Sequence, residues 1–294
     1  MDATQASEWL AQTMPGFAVM PLQPGFGAEI AGLDLGRADD PQVAAAMRAL
    51  WLQHRVILLR DQKLDRAGHL ALATLFGEPV TYPFSDFRAE DFPTIIKILS
   101  DRQTADAWHC DLSYDVRPAG GAVLRAVRIP PVGGDTLFAD GYAAYDALDE
   151  AMKARIETLH AIHDFAGVLR YQRSDQPGHE ARLARVMEKR NGSALVAHPL
   201  VLKHPLTGRR TLFVNPAFCT RIIELEPAES DALMRDLYDM FMVPERQLRV
   251  RWSEDAVVVW ENLSTIHYAA YDYAPFSRHM ERITVRGERL YAET

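Results

Sequence analysis

The chain has 294 residues, 48 % of them hydrophobic and 24 % charged, with 17 glycines and 17 prolines, the composition of a globular protein large enough to bury a core. Its 32 basic and 40 acidic side chains leave a formal net charge of −8, which repels phosphate backbones and argues against nucleic acid as a partner. Cys110 and Cys219 provide neither a disulfide framework nor a Cys-x-x-Cys zinc pair, and no apolar run approaches the roughly 18 residues of a membrane span. MDATQASEWL lacks the basic and apolar regions of a signal peptide. The expectation is a cytoplasmic, reduced protein with no membrane partner.

No repeat, low-complexity tract or Pro/Gly/Ser-rich linker divides the chain, so residues 1–294 read as a single domain. QVAAAMRALWLQH (42–54) is alanine-rich with apolar residues at helical spacing, and it leads into the β-rich run RVILLR. DRAGHLALATLFG opens on Asp65, a capping residue type, and closes on Gly77, the residue type that ends helices. β-like runs follow: TIIKILS, GAVLRAVRI, DTLFAD, ALVAHPLVL, RTLFVN, QLRVRW, DAVVVWENLSTIHYA and RHMERITVRG. One amphipathic helix, 226–241, interrupts them. Many strands at irregular spacing, with helices grouped early and in insertions, predict a jelly-roll or barrel flanked by helices. A doubly wound sheet would alternate strand and helix more regularly. Two polar, Pro-punctuated stretches, 81–93 and 167–192, are candidate lids over a site.

Within WHCDLSY, His109 and Asp111 stand two residues apart. Read as a strand, the segment places both on one face and turns Cys110 away into packing. A third ligand is required, and His267 in LSTIHYAA, at the end of a strongly apolar run, is the best candidate. Two histidines and one carboxylate form the facial triad that holds iron(II) and leaves positions open. Zinc accepts the same ligands, so the triad alone does not choose the metal. His160, His163, His198 and His204 read as structural.

Four stretches in order carry a resemblance: WHCDLSY, GGAVLRAVRIPPVGGDTLFAD, GRRTLFVNPAFCTRI and VVVWENLSTIHYAAYDYAPFSRHMERITVRGERLY. Together they resemble the taurine dioxygenase / 2,4-dichlorophenoxyacetate dioxygenase (TauD/TfdA) family, from about Phe17 to the C-terminus. The resemblance implies a mainly β fold with flanking helices, a distorted double-stranded β-helix (a cupin-like jelly-roll). It also implies an Fe(II)- and 2-oxoglutarate-dependent dioxygenase using O2. By position it makes His109, Asp111 and His267 the iron ligands. Arg278 pairs with the distal carboxylate of 2-oxoglutarate, with Thr136 as a second contact. Arg282 meets an anionic substrate head, Phe218 lies near the substrate, and Tyr114 and Tyr82 are further candidate contacts.

The residue types suit those roles. A planar, always-charged guanidinium takes a carboxylate through two parallel hydrogen bonds. On a strand, Arg278 and Arg282 share a face while His279 and Glu281 take the other. Asp111 stands where halogenating relatives have a small residue, so hydroxylation is expected.

The implied substrate is a small organic anion, an alkyl sulfonate or sulfate ester. Its hydroxylated carbon would fragment to an aldehyde plus sulfite or sulfate, with release of succinate and CO2. The alternative is an aryloxyalkanoate, distinguished by an aromatic-lined pocket. A non-catalytic jelly-roll that binds an anion or zinc is the reading of another class, and it lacks an evident fourth zinc ligand. Two positions depart from the family pattern: Ala105 replaces an asparagine of the taurine enzymes, and Glu261 in WEN replaces aspartate. A homo-oligomer, dimer or tetramer, is expected.

Overall fold

The computed structural model describes residues 1–34, 37, 39–81, 88–99, 107–171, 180, 184, 187, 188, 195–287 and 290. Helix α1 (Ala3–Thr13) starts with a capping box between Asp2 and Gln5. Helix α2 (Pro41–His54) is capped by Asp40, whose side chain accepts from Gln42 N at 2.9 Å, with Pro41 in its first turn. Arg55 ends α2 in the left-handed region (φ 61°), and the chain drops directly into the fully buried strand β3 (Val56–Leu59). Asp65 caps α3 (Arg66–Thr74) through Gly68 N at 2.7 Å. That helix stops before the expected Gly77, because Leu75 and Phe76 turn into the core, where Phe76 packs edge-on against Trp51 at 5.6 Å.

Seven strands form the larger sheet: β1 (Ala18–Pro21), β2 (Ala28–Ala31), β3, β4 (Ile95–Leu99), β5 (Ala119–Arg128), β13 (Val257–Glu261) and β15 (His279–Arg286). Their order across the sheet is β1-β2-β3-β13-β5-β15-β4. Period-two alternation sorts its two faces. Ile57, Leu59, Val123, Val257, Val259, Ile283 and Val285 face outward and pack on Leu10, Met47, Leu50 and Leu72 of α1–α3. Val56, Leu58, Ala122, Leu124, Val258, Trp260 and Met280 face inward onto Phe138, Leu248 and Val250. Each fully buried Val, Leu, Ile or Met among them contributes about 1.5–3 kcal/mol of apolar burial.

The inward partners belong to a second layer, β12 (Gln247–Val250), β6 (Thr136–Asp140) and β14 (Thr265–Ala269), in the order β12-β6-β14. Two facing layers of this kind are the jelly-roll core expected from the sequence.

The single apolar run DAVVVWENLSTIHYA is thus two strands, β13 and β14, lying in different layers. Glu261 makes the corner by accepting from Leu263 N and Ser264 N, each at 2.8 Å. A smaller sheet of β7 (His160–His163), β8 (Val196–Pro199) and β11 (Cys219–Ile222) and the ribbon β9 (Val201–Lys203) with β10 (Arg210–Leu212) extend one end. Helices α4 (Gly141–Asp146), α5 (Glu150–Ile156) and α6 (Pro227–Asp239) pack there around Leu200, Phe213, Leu237 and Phe241. Among the described residues no helix is long and apolar enough to cross a membrane.

Candidate active site

His109 and His267 are joined through their backbones. His109 N donates to His267 O at 3.0 Å and His267 N to His109 O at 2.8 Å, an isolated antiparallel bridge onto β14. The bridge sets the two imidazoles side by side, 4.1 Å between ring centroids. WHCDLSY is not the strand its alternation suggests. After the bridge the chain turns, with Leu112 at φ 54°. The cause is Asn262, fully buried just beyond β13. Its Oδ1 accepts from Asp111 N at 2.9 Å, and its Nδ2 donates to Asp111 O at 2.9 Å and Ala119 O at 3.0 Å. The hydrogen bonds that a partner strand would take are spent on this side chain. Cys110 packs into the core, as expected.

The turn aims the Asp111 carboxylate between the histidines. Asp111 Oδ1 is 3.8 Å from His109 Nε2, and Oδ2 is 4.0 Å from His267 Nε2. All three side chains are buried, and one ligand atom from each lies within 4.8 Å of the others. His109 Nδ1 is 3.0 Å from Ala107 O, so the ring N–H donates there and the Nε2 lone pair faces the carboxylate.

Burial pushes the pKa of both imidazoles down, that of His267 well below its ordinary value. Burial alone would raise the Asp111 carboxyl, but Arg282 and the two histidines outweigh it and hold it below the usual range. Two neutral imidazoles and one carboxylate in convergent positions are the donor set a divalent ion requires, so the residues present fit an iron ion.

Two arginines flank the cage. Arg282 on β15 places Nη1 at 2.7 and 2.9 Å from the two Asp111 oxygens. Arg278, just before β15, is 6 % exposed, and its Nη2 lies 3.4 Å from Thr136 Oγ1. Trp252 Nε1 approaches the same hydroxyl at 3.0 Å, and the Arg278 guanidinium stands 5.8 Å from the Trp252 ring centroid. Burial lowers the Arg278 pKa from its ordinary value. Glu281 takes the opposite face, as the alternation predicts, and pairs with Arg66 at 2.7 Å and Arg125 at 2.6 Å.

Aromatic rings border His109. Phe218 meets it edge-on at 6.2 Å, Tyr114 lies 4.9 Å from both Phe218 and Phe165, and Phe165 stacks on Phe218 at 6.2 Å. Asn215 ties this wall to the cage segment: Oδ1 accepts from Phe218 N at 3.0 Å, and Nδ2 donates to Ser113 Oγ at 3.0 Å. Of the predicted residues, His109, Asp111 and His267 form the cage, with Arg282 on Asp111 and Phe218 and Tyr114 bordering His109. Arg278 meets Thr136, two positions along β6 from Phe138, the partner of His267. Tyr82 lies outside the described residues, as do 82–87 of the first lid and most of 172–192 in the second. Sequence reasoning missed Phe165, Trp252 and the clamping role of Asn262. The last was signalled only by its place in WEN.

A buried His/Asp/His cage set in a jelly-roll is the arrangement of a non-haem iron oxygenase. The family model described as "Taurine catabolism dioxygenase TauD, TfdA family" matches residues 18–284, and the chain belongs to that family. It is 36 % identical to an (S)-phenoxypropionate/alpha-ketoglutarate-dioxygenase of Sphingobium herbicidovorans, over 87 % of this chain and 90 % of that protein. It is 32 % identical to an alpha-ketoglutarate-dependent sulfate ester dioxygenase of Pseudomonas putida, over 92 % and 89 %. A crystal structure of a taurine dioxygenase from Burkholderia xenovorans superposes with a TM-score of 0.78 at 32 % identity, covering 93 % of this chain and 90 % of that one. The expected family, fold and reaction class are borne out, and the protein is a dioxygenase dependent on Fe(II), 2-oxoglutarate and O2. The non-catalytic reading is set aside.

Proposed function

We propose that His109, Asp111 and His267 hold the iron, that Arg278 and Thr136 hold the distal carboxylate of 2-oxoglutarate, and that Arg282, Phe218 and Tyr114 receive a small organic anion. The substrate class is an alkyl sulfonate or sulfate ester. When bound, iron supplies the centre at which 2-oxoglutarate and O2 are consumed to give succinate and CO2 while a substrate C–H becomes C–OH. The chain's own part is placement. Asp111 and the neutral histidines fix the centre, and Arg278 with Thr136 anchors the cosubstrate by its far end. Hydroxylation of the carbon bearing a sulfonate or sulfate leaves an adduct that collapses to an aldehyde plus sulfite or sulfate.

The observation that carries this reading is Arg282, whose Nη1 touches both oxygens of Asp111. An anion drawn to the same guanidinium sits beside the cage, with its adjacent C–H presented there. Burying an anion without such a cation is costly. The aromatic wall of Tyr114, Phe165 and Phe218 favours a second reading, an aryloxyalkanoate whose ring stacks on it.

Succinate formation with iron(II), ascorbate and air, measured across alkyl sulfonates, alkyl sulfates and aryloxyalkanoates, decides between them. Stimulation by one class names it, whereas slow, unstimulated succinate with all three overturns the anionic-substrate assignment. We further read residues 1–294 as one cytoplasmic catalytic domain; much of the two candidate lids, 81–93 and 167–192, lies outside the described residues. The chain assembles as a dimer or tetramer, which light scattering tests.

A further inference from the structure

Thr136 opens β6 on its inner side and is 2 % exposed. A threonine hydroxyl has one proton to give and two lone pairs with which to accept. Its two side-chain neighbours are Trp252 Nε1 at 3.0 Å and Arg278 Nη2 at 3.4 Å. Indole and guanidinium nitrogens only donate. Oγ1 is therefore the acceptor in both contacts, its lone pairs are engaged, and its proton is left for a third group. Among the described residues nothing accepts that proton. The same tryptophan also presents its ring to the Arg278 guanidinium, 5.8 Å from the centroid, so one side chain addresses both groups.

We propose that Trp252 is a positioning residue: its N–H fixes the Thr136 hydroxyl as a donor, so that Thr136 and Arg278 together present donors to the distal carboxylate of the 2-oxo acid. The inference rests on the assignment of Thr136 and Arg278 to 2-oxoglutarate made above. Without the indole N–H a lone pair of Oγ1 is released, and the hydroxyl can turn that lone pair toward the anion, which repels it. The arrangement rewards a terminal carboxylate in particular, because only an acceptor can use both donors. It selects 2-oxo diacids over 2-oxo monoacids, and it acts on binding rather than on the chemical step.

The test is calorimetric binding of 2-oxoglutarate to the Mn(II)-loaded protein under argon, with 2-oxopentanoate, which lacks the distal carboxylate, as the control ligand. Trp252→Phe keeps an aromatic ring under Arg278 and removes the N–H. It is expected to weaken 2-oxoglutarate about three- to tenfold, the range of one hydrogen bond. Affinity for 2-oxopentanoate, melting temperature and kcat at saturating 2-oxoglutarate should stay unchanged. In a Thr136→Val background the same substitution should have no further effect, while Thr136→Ser should restore the coupling. An equal loss in the Thr136→Val background would show that Trp252 acts by packing and would overturn the proposal. If Thr136→Val and Arg278→Ala weaken 2-oxoglutarate but Trp252→Phe does not, the proposal fails and the cosubstrate assignment stands. If none of the three changes the affinity, the cosubstrate assignment itself falls.

Discussion

The cage and the aromatic wall meet at His109 and are built by different forces. Directional hydrogen bonds fix the cage: the His109–His267 backbone bridge, the Asn262 clamp on both sides of Asp111, and the Ala107 carbonyl on His109 Nδ1. Glu261, buried beside His204 at 3.2 Å, braces the corner from which Asn262 reaches out. The wall of Tyr114, Phe165 and Phe218 is held mainly by rings packing on rings. Hydrogen bonds specify angle and distance, whereas apolar packing accepts substitution if volume is kept. In the proposed function the rigid half of the site sets the reaction, and the half that tolerates change sets substrate preference.

The largest effect should come from breaking the clamp. Asn262→Ala strands the buried Asp111 N–H, takes one of its donors from Ala119 O, and leaves Asp111 O only the long contact from Ala119 N at 3.4 Å. It should cost about 2–4 kcal/mol of stability in urea unfolding and weaken Mn(II) binding about 10- to 100-fold. Wild-type metal affinity in this variant would mean that the clamp does not aim Asp111. Arg278→Ala should raise the KM for 2-oxoglutarate about 10- to 100-fold, the value of a charged hydrogen-bond pair, and leave metal binding in place. Unchanged saturation by 2-oxoglutarate would remove its assignment.

Glu281→Gln acts on the outer face of β15, away from the cage, and sharpens the contrast. It should cost about 2–3 kcal/mol, after allowing for the partial exposure of its arginine partners, with kcat/KM nearly unchanged. Burial would raise the Glu281 carboxyl, but Arg66 and Arg125 outweigh it and hold its pKa below the ordinary 4.5. Its stabilisation is thus present above pH 4.5 and fades as pH falls through the lower folded value. Wild type and variant should converge in acid, and a constant gap down to pH 2 would refute the ion-pair account. Phe218→Leu should have the smallest effect, shifting the kcat/KM ratio between alkyl sulfates and aryloxyalkanoates about three- to tenfold without moving the KM for 2-oxoglutarate.

What the sequence showed of this plan follows from which residues obey a period. β15 alternates, so Arg282 inward and Glu281 outward were both legible. His109, Asp111 and His267 were legible because metal-ligand residue types recur in ordered motifs. WHCDLSY was misread as a strand because a side chain from a remote turn takes Asp111's backbone hydrogen bonds, and no periodicity encodes that. For the same reason the corner at Glu261, made by a carboxylate on two backbone N–H groups, was hidden inside one apolar run. α1 was missed although Asp2 and Gln5 spell a capping box, because it buries only Ala6 and Leu10. Phe165 reaches the wall from the short 3-10 turn Phe165–Tyr171, and its contact with Phe218 exists only in the folded chain.

The backbone bridge between His109 and His267 joins two points separated by more than half the chain. An ion gripped by both imidazoles is therefore a cross-link as well as a reaction centre, fastening the first ligand loop to the last strands of the core. It binds the folded chain and not the unfolded one, so a metal concentration a hundredfold above its Kd adds about 2.7 kcal/mol to the fold. A chelator would then soften the protein as it silences it, and the pool of available iron would set how long each molecule lasts as well as how fast it turns over.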